Sequence, residues 1–331
     1  MHRKALVAGI DAYAKLPALH YAEKDAQEIA RRLRFHEDES SEPNFDVRLM
    51  LGGREPVTRA TLRAAIHDLF ADSEGLDLAF YFAGHGHVTD TGGHLVTADA
   101  GPHDHGVMMQ EVTDLASTSR ASSVLIMLDC CHAGAAGNPP IMRAGGERAI
   151  LRDNMIIMAA SLPMQQAIES PRGGGLFTAA LRDALDGTAS DFLGDVTVTS
   201  VYSLVEMRFN LWKQRPVVKL YLTRPIVLRK VRPRLSRQEL RRIGDLFPDP
   251  DHKFRMEPAH DPERDGEGVA KAPEVPEKVE IGLLFKQYRD AGLLCASVSR
   301  EHLYYVAQRS HTVELTPVGK EYWRRVKEGR V

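Results

Sequence analysis

Short apolar runs recur along the first 230 residues, separated by stretches with a helical period. The runs predict strands at residues 5–10, 47–51, 76–83, 124–128, 155–159 and 217–222. They are almost continuous in Val, Ile, Leu and Phe, the pattern of strands buried on both faces. Residues 21–33 place Ala22, Ala26, Ile29, Ala30 and Leu33 on one helical face and Glu23, Lys24, Glu28, Arg31 and Arg32 on the other. Residues 59–71 repeat the pattern with Leu62, Ile66, Leu69 and Phe70, and 178–185 and 199–209 read as further helices. Strands alternating with helices predict a mostly parallel sheet covered on both faces. Residues 93–98 read as one arm of a hairpin beside that sheet.

The pattern breaks at residues 247–276, which carry six of the 18 prolines and few large apolar residues. That composition predicts a linker, partly disordered, preceded by a docking helix at 235–247. Structure is expected again from 279: an amphipathic helix ending at Gly292, strand-like arms at 302–307 and 312–315, and a last helix. Thr316 and Pro317 supply an N-cap and a first helical residue for it. This order resembles the C-terminal half of a winged helix-turn-helix domain. The expected organisation is a domain over 1–230, a docking helix and linker over 231–277, and a small α+β winged-helix-like, partner-binding module over 278–331.

Composition narrows the function. The chain has 331 residues, 43% of them hydrophobic and 27% charged, with a formal net charge of −2. The near-neutral charge gives no global attraction to nucleic acid or anionic membrane, and no apolar run approaches the roughly 18 residues of a membrane helix. Three cysteines, two of them adjacent, build no disulfide framework, and with no export signal they predict a cytoplasmic, reducing setting. Attention then falls on Cys130-Cys131.

Two strand ends carry the candidate chemistry. Phe80-Tyr81-Phe82-Ala83-Gly84-His85-Gly86 runs out of the third predicted strand. Val124-Leu125-Ile126-Met127-Leu128 runs out into Asp129-Cys130-Cys131-His132-Ala133-Gly134. Open parallel sheets bind ligands beyond the carboxyl ends of their strands, so neighbouring strands would bring a histidine and a cysteine together there. A thiolate nucleophile needs such a base at neutral pH.

These blocks, about 45 residues apart and close to the roughly 50 expected, resemble the Tyr-Ser-Gly-His-Gly and Asp-x-Cys-His-Ser-Gly blocks of caspase-like cysteine peptidases. The match is to the metacaspase-like members of peptidase family C14, and it implies a caspase-like three-layer α/β/α sandwich with a mostly parallel six-stranded sheet. It also implies that Cys131 is the nucleophile and His85 the general base and acid, with the N–H groups of Gly86 and Cys131 as oxyanion hole. His132 belongs to the motif without being the catalytic histidine. Asp129, two residues before the nucleophile, favours Arg or Lys at the cut. Leu19-His20-Tyr21-Ala22-Glu23-Lys24-Asp25-Ala26 resembles the metacaspase segment that supplies a second pocket acid, here Asp25. Ala22 and Ala83 replace that family's pocket Cys and Ser and remove polar atoms, which implies a roomier pocket or a different ranking of Arg and Lys.

The loop at 135–153 carries Arg143, Arg148 and Arg152, where the family often cleaves itself. Cys130 and Cys295 read as structural. Zinc is not expected, because the spacings lack a paired ligand motif; calcium activation, common among metacaspases, finds no readable ligand order. The expected whole is a regulated endopeptidase of a bacterial defence or cell-death pathway, acting on protein substrates with a basic residue before the cut. Two other classes stand beside it. One is a transcription regulator using the C-terminal module on DNA, disfavoured by 19 Lys and Arg against 17 Asp and Glu over 231–331. The other is a catalytically silent adaptor.

Overall fold

The structure, a computed structural model, describes residues 2–38, 40, 42–53, 55–90, 92–130, 151–160, 174–209, 216–261, 274–298 and 301–331. Two compact units divide the chain, Met1–Arg232 and Pro233–Val331.

The first unit carries a six-stranded sheet. Its strands are β1 (Arg3–Gly9), β2 (Asp46–Leu51), β3 (Asp77–Ala83), β7 (Ser123–Asp129), β8 (Met155–Ala159) and β10 (Val217–Tyr221), in the spatial order β10-β8-β7-β3-β1-β2. Every pairing is parallel except the edge pairing of β10 with β8. All six predicted strands are present. Chain order reverses between β1 and β3, the switch point where open α/β sheets offer a crevice.

Strand residues alternate between two cores. Val7, Tyr81, Ala83 and Met127 face one layer, helices α1 (Ala22–Arg34), α4 (Leu176–Asp183) and α5 (Val198–Phe209). Leu6, Phe82, Leu128 and Cys130 face the other, helices α2 (Arg59–Phe70) and α3 (Met109–Thr118). Phe80, Phe82 and Phe177 are fully buried; burying each stabilises the fold by about 2–3 kcal/mol. The start of α1 is held from a distance: the Asp11 carboxylate accepts from the N–H groups of Ala22 at 2.8 Å and Glu23 at 3.4 Å. A carboxylate there favours the positive end of the helix dipole.

A small antiparallel sheet flanks the main one, with β4 (Gly86–Thr89), β5 (Gly92–Leu95) and β6 (Val107–Met108). The arm expected at 93–98 is β5. A further ladder pairs β9 (Asp195–Thr197) with β11 (Val227–Lys230).

The second unit differs from its sequence reading in two places. Residues 302–307 are helical: α9 (Leu303–Gln308) buries Leu303, Val306 and Ala307 at helical spacing, with the His302 ring accepting from the Tyr304 N–H. The strand partner of β14 (Thr312–Leu315) is therefore not that segment. It is β13 (Leu294–Ala296) on one side and β12 (Lys253–Arg255) on the other. The hairpin on which the winged-helix resemblance stood is not formed.

The described part of the expected linker is also built into the unit. Phe247 is fully buried, and Phe254 of β12 packs edge-to-face on Phe285 at 4.9 Å. Short helices α6 (Arg237–Arg241) and α7 (Ile243–Leu246) precede it, where a single docking helix was expected. Tyr288 of α8 (Pro276–Asp290) donates to the Glu239 carbonyl at 2.5 Å. The last helix, α10 (Pro317–Lys327), starts as predicted, with the Thr316 hydroxyl accepting from the Gly319 N–H at 3.1 Å. Cys295 on β13 is exposed. No helix among the described residues is long and apolar enough to cross a membrane.

Candidate active site

Strands β3 and β7 end level with one another, Ala83 opposite Asp129. The Gly84 N–H donates to the Asp129 carbonyl at 3.3 Å. The chain then lifts His85 beyond the sheet edge, half-buried, and the Val96 N–H fixes the His85 carbonyl at 3.0 Å.

Tyr13, after β1, anchors this histidine. Its hydroxyl donates to the Ile10 carbonyl at 3.0 Å and accepts from the His85 N–H at 2.8 Å. Its ring lies 4.7 Å from the imidazole, centroid to centroid. Burial pushes the Tyr13 phenol well above its ordinary range, so it stays a neutral hydroxyl. Gly84 is needed beside it, because a Cβ there would lie 2.6 Å from the Tyr13 oxygen.

The His85 Nε2 lies 2.9 Å from the Pro17 carbonyl. A carbonyl only accepts, so Nε2 carries the proton and Nδ1 keeps the basic lone pair. Neither Tyr13 nor Pro17 stood out in the sequence.

Across β7, Asp129 turns into the first core and is only 8% exposed. Its carboxylate accepts from the Thr178 hydroxyl at 2.5 Å and the Thr178 N–H at 3.3 Å, in the first turn of α4. Tyr81 in turn lies 2.5 Å from the Thr178 hydroxyl. Asp25, on α1, accepts from the Gly175 N–H at 2.8 Å. The two acids thus grip the backbone that opens α4. A Cβ on Gly175 would lie 2.1 Å from an Asp129 oxygen, and one on Gly174, whose φ is +90°, 2.8 Å from an Asp25 oxygen. Only glycine fits at both positions.

Burial raises both acids. The Asp25 carboxyl is pushed up to about 7, first by burial, with the Asp129 charge adding and the Gly175 N–H opposing. Asp129 is raised by burial against the opposing bonds from Thr178. The sequence singled out both acids; it gave no sign that Thr178, Gly174 and Gly175 would share them.

Cys130 is buried in the second core, 1% exposed. Cys131, His132, Arg143 and Arg148 lie outside the described residues. Arg152 is described, and its guanidinium is bound into α3 and the turn after it. It donates to the carbonyls of Ala116 at 2.9 Å and Ala121 at 2.8 Å and to the Ser119 hydroxyl at 3.3 Å.

Gly86 opens β4 directly after His85, and beside the pair lies a pocket of about 360 Å³. Rings of His87, His94 and His105 cluster near it at 4.6 and 5.6 Å. Among the described residues, no group of three His, Cys, Asp or Glu is arranged to hold a metal ion.

No curated protein matches the chain. Among solved structures, the crystal structure of protein GSU0716 from Geobacter sulfurreducens is similar in fold. The two share 18% identity with a TM-score of 0.50, over 70% of this chain and 98% of that one. A family model described as "Caspase domain" matches residues 2–227, nearly the whole first unit and with it both strand ends. The chain belongs to the caspase-domain family of cysteine peptidases.

Proposed function

We propose that the chain is an active cysteine endopeptidase that cuts after Arg or Lys, with Cys131 as nucleophile and His85 as base and acid. The observation that carries this reading is the tether on His85. The Pro17 carbonyl occupies Nε2 and leaves Nδ1 basic, beside the strand end whose next residues are Cys130 and Cys131.

In this mechanism His85 Nδ1 takes the Cys131 proton, and the thiolate attacks the scissile carbonyl carbon. The N–H groups of Gly86 and Cys131 hold the developing oxyanion. The imidazolium returns its proton to the leaving amine as the C–N bond breaks. A water, deprotonated by Nδ1, then releases the acid product from the thioester. Asp25 and Asp129 hold the basic side chain before the cut. Each carboxylate has two oxygens, so one can keep the α4 backbone while the other meets an ammonium or guanidinium.

Self-cleavage is assigned to Arg143 and Arg148 rather than Arg152, whose side chain is engaged with α3. The Pro233–Val331 unit is read as the part that recognises a regulatory protein partner, in a defence or cell-death setting. Cleavage of an Arg-aminomethylcoumarin peptide tests the core of the proposal. Cys131→Ala and His85→Ala should each lower kcat/KM at least about a thousand-fold. Preferential cleavage after Asp would overturn the pocket assignment. Equal activity in wild type and Cys131→Ala would overturn the enzyme reading. Identical band patterns of the two proteins after incubation would overturn self-cleavage.

A further inference from the structure

The pocket beside His85 is separate from the acid pair. Asp25 and Asp129 lie on the face of the sheet covered by α1 and α4, where they bond to Gly175 and Thr178. The pocket is bounded by the β4–β6 sheet, whose Leu95 and Val107 belong to the core on the opposite face. His85 and Gly86 form its inner rim, so it opens where the scissile bond would lie. With the basic side chain of a peptide on the acid face, the residues after the cut reach this pocket if the backbone passes His85 toward the other face. The pocket is therefore placed to receive the residues on the leaving-amine side of the cut.

Its lining has one sign of charge. Lys15, His87 and His105 supply an ammonium and two imidazoles, Leu16 and Val96 supply apolar surface, and among the described residues no Asp or Glu lines it. No ion pair engages Lys15 among the described residues. Behind the lining, His94 is 8% exposed, and its Nδ1 has no hydrogen-bond partner among the described residues. Burial lowers the His94 pKa first and the neighbouring His105 lowers it further, against the bond at Gly92, which raises it. A carboxylate gains from the Lys15 ammonium in the lining, and a side chain of like sign is rejected.

Resting on the peptidase reading, we propose that this pocket is a leaving-group-side subsite for an acidic side chain, Asp or Glu, within two residues after the cut. Such an enzyme reads a charge pattern, basic before the bond and acidic after it. Both halves are needed for full rate.

The test uses internally quenched peptides that share an Arg-terminated half and differ only in the two residues after the cut. Glu peptides should exceed Ala peptides about five-fold in kcat/KM, and Lys peptides should fall below Ala. Lys15→Glu should reverse the order of Glu and Lys, and salt should compress the wild-type spread. A wild-type series flat within about two-fold, or one unchanged by Lys15→Glu, overturns the subsite. The Arg-aminomethylcoumarin peptide, which has no residue after the cut, separates the two failures. If it is hydrolysed while the series is flat, only the subsite falls; if no peptide is hydrolysed, the peptidase reading falls with it.

Discussion

The histidine edge follows β3 and the carboxylate pair joins the end of the neighbouring β7 to α1, yet the two are built in opposite ways. His85 is half-buried and held by single bonds at Pro17, Tyr13 and Val96. Asp129 is almost wholly buried, and both acids are committed to the start of a helix. The histidine is oriented with little structure resting on it. The acids are part of what keeps α4 against the sheet. Changes at the first region should therefore alter turnover more than stability, and changes at the second should alter both.

The largest expected break in that comparison is Asp129→Ala. It leaves the Thr178 N–H buried without its acceptor and the Thr178 hydroxyl with only Tyr81, at a cost of about 3 kcal/mol in a urea denaturation. Arg-peptide cleavage should fall with it. Loss of cleavage at unchanged stability would show that the acid does not hold α4.

Asp25→Asn tests the same region through pH. The folded-state carboxyl sits at about 7, above its ordinary value of 3.8. Between those values the folded state binds more proton than the unfolded one, so stability falls as pH rises and levels off above about 7. Wild type should lose on the order of 1–2 kcal/mol more than Asp25→Asn between pH 5 and pH 8, the full shift being discounted for solvent screening. Equal losses would remove Asp25 from the buried pair. KM for an Arg peptide should also rise in the variant.

Tyr13→Phe has the smallest expected effect on stability and sharpens the contrast. The ring stays against His85, but the hydroxyl that joins Ile10 to the His85 N–H is gone. Unfolding should become easier by only about 1 kcal/mol. Turnover should drop about ten-fold, while KM for an Arg peptide stays within about two-fold. A rise in KM at constant kcat would mean that Tyr13 serves substrate binding instead.

The layered sheet was legible because its strands are buried on both faces and read as long apolar runs. Helix α1 was legible because Ala22, Ala26, Ile29 and Leu33 keep strict period. His85, Asp129 and Asp25 stood out through the resemblance of their sequence blocks to a known family. Tyr13 and Pro17 were not, since their partner lies about 70 residues away and a lone tyrosine in a turn carries no pattern. The second unit misled for a different reason. Tyr304, Tyr305 and Val306 have the residue types of a strand, but the buried set Leu303, Val306 and Ala307 has a helical period, and packing decided. Strand β12 is three residues long between prolines, too short for a signal. Its register comes from pairing Phe254 with Val313.

The turn that leaves β1 works as a length standard. Successive residues there are fixed to different neighbours. The Ile10 carbonyl takes the Tyr13 hydroxyl, the Asp11 side chain takes the first N–H of α1, and the Ala14 N–H reaches the Ala98 carbonyl at 2.8 Å. Surface loops ordinarily absorb an added residue at little cost. Here one inserted glycine would shift Tyr13 out of step with His85 while Asp11 still held α1, so the two halves of the site would lose their common frame. A glycine added between β4 and β5 would leave that frame intact.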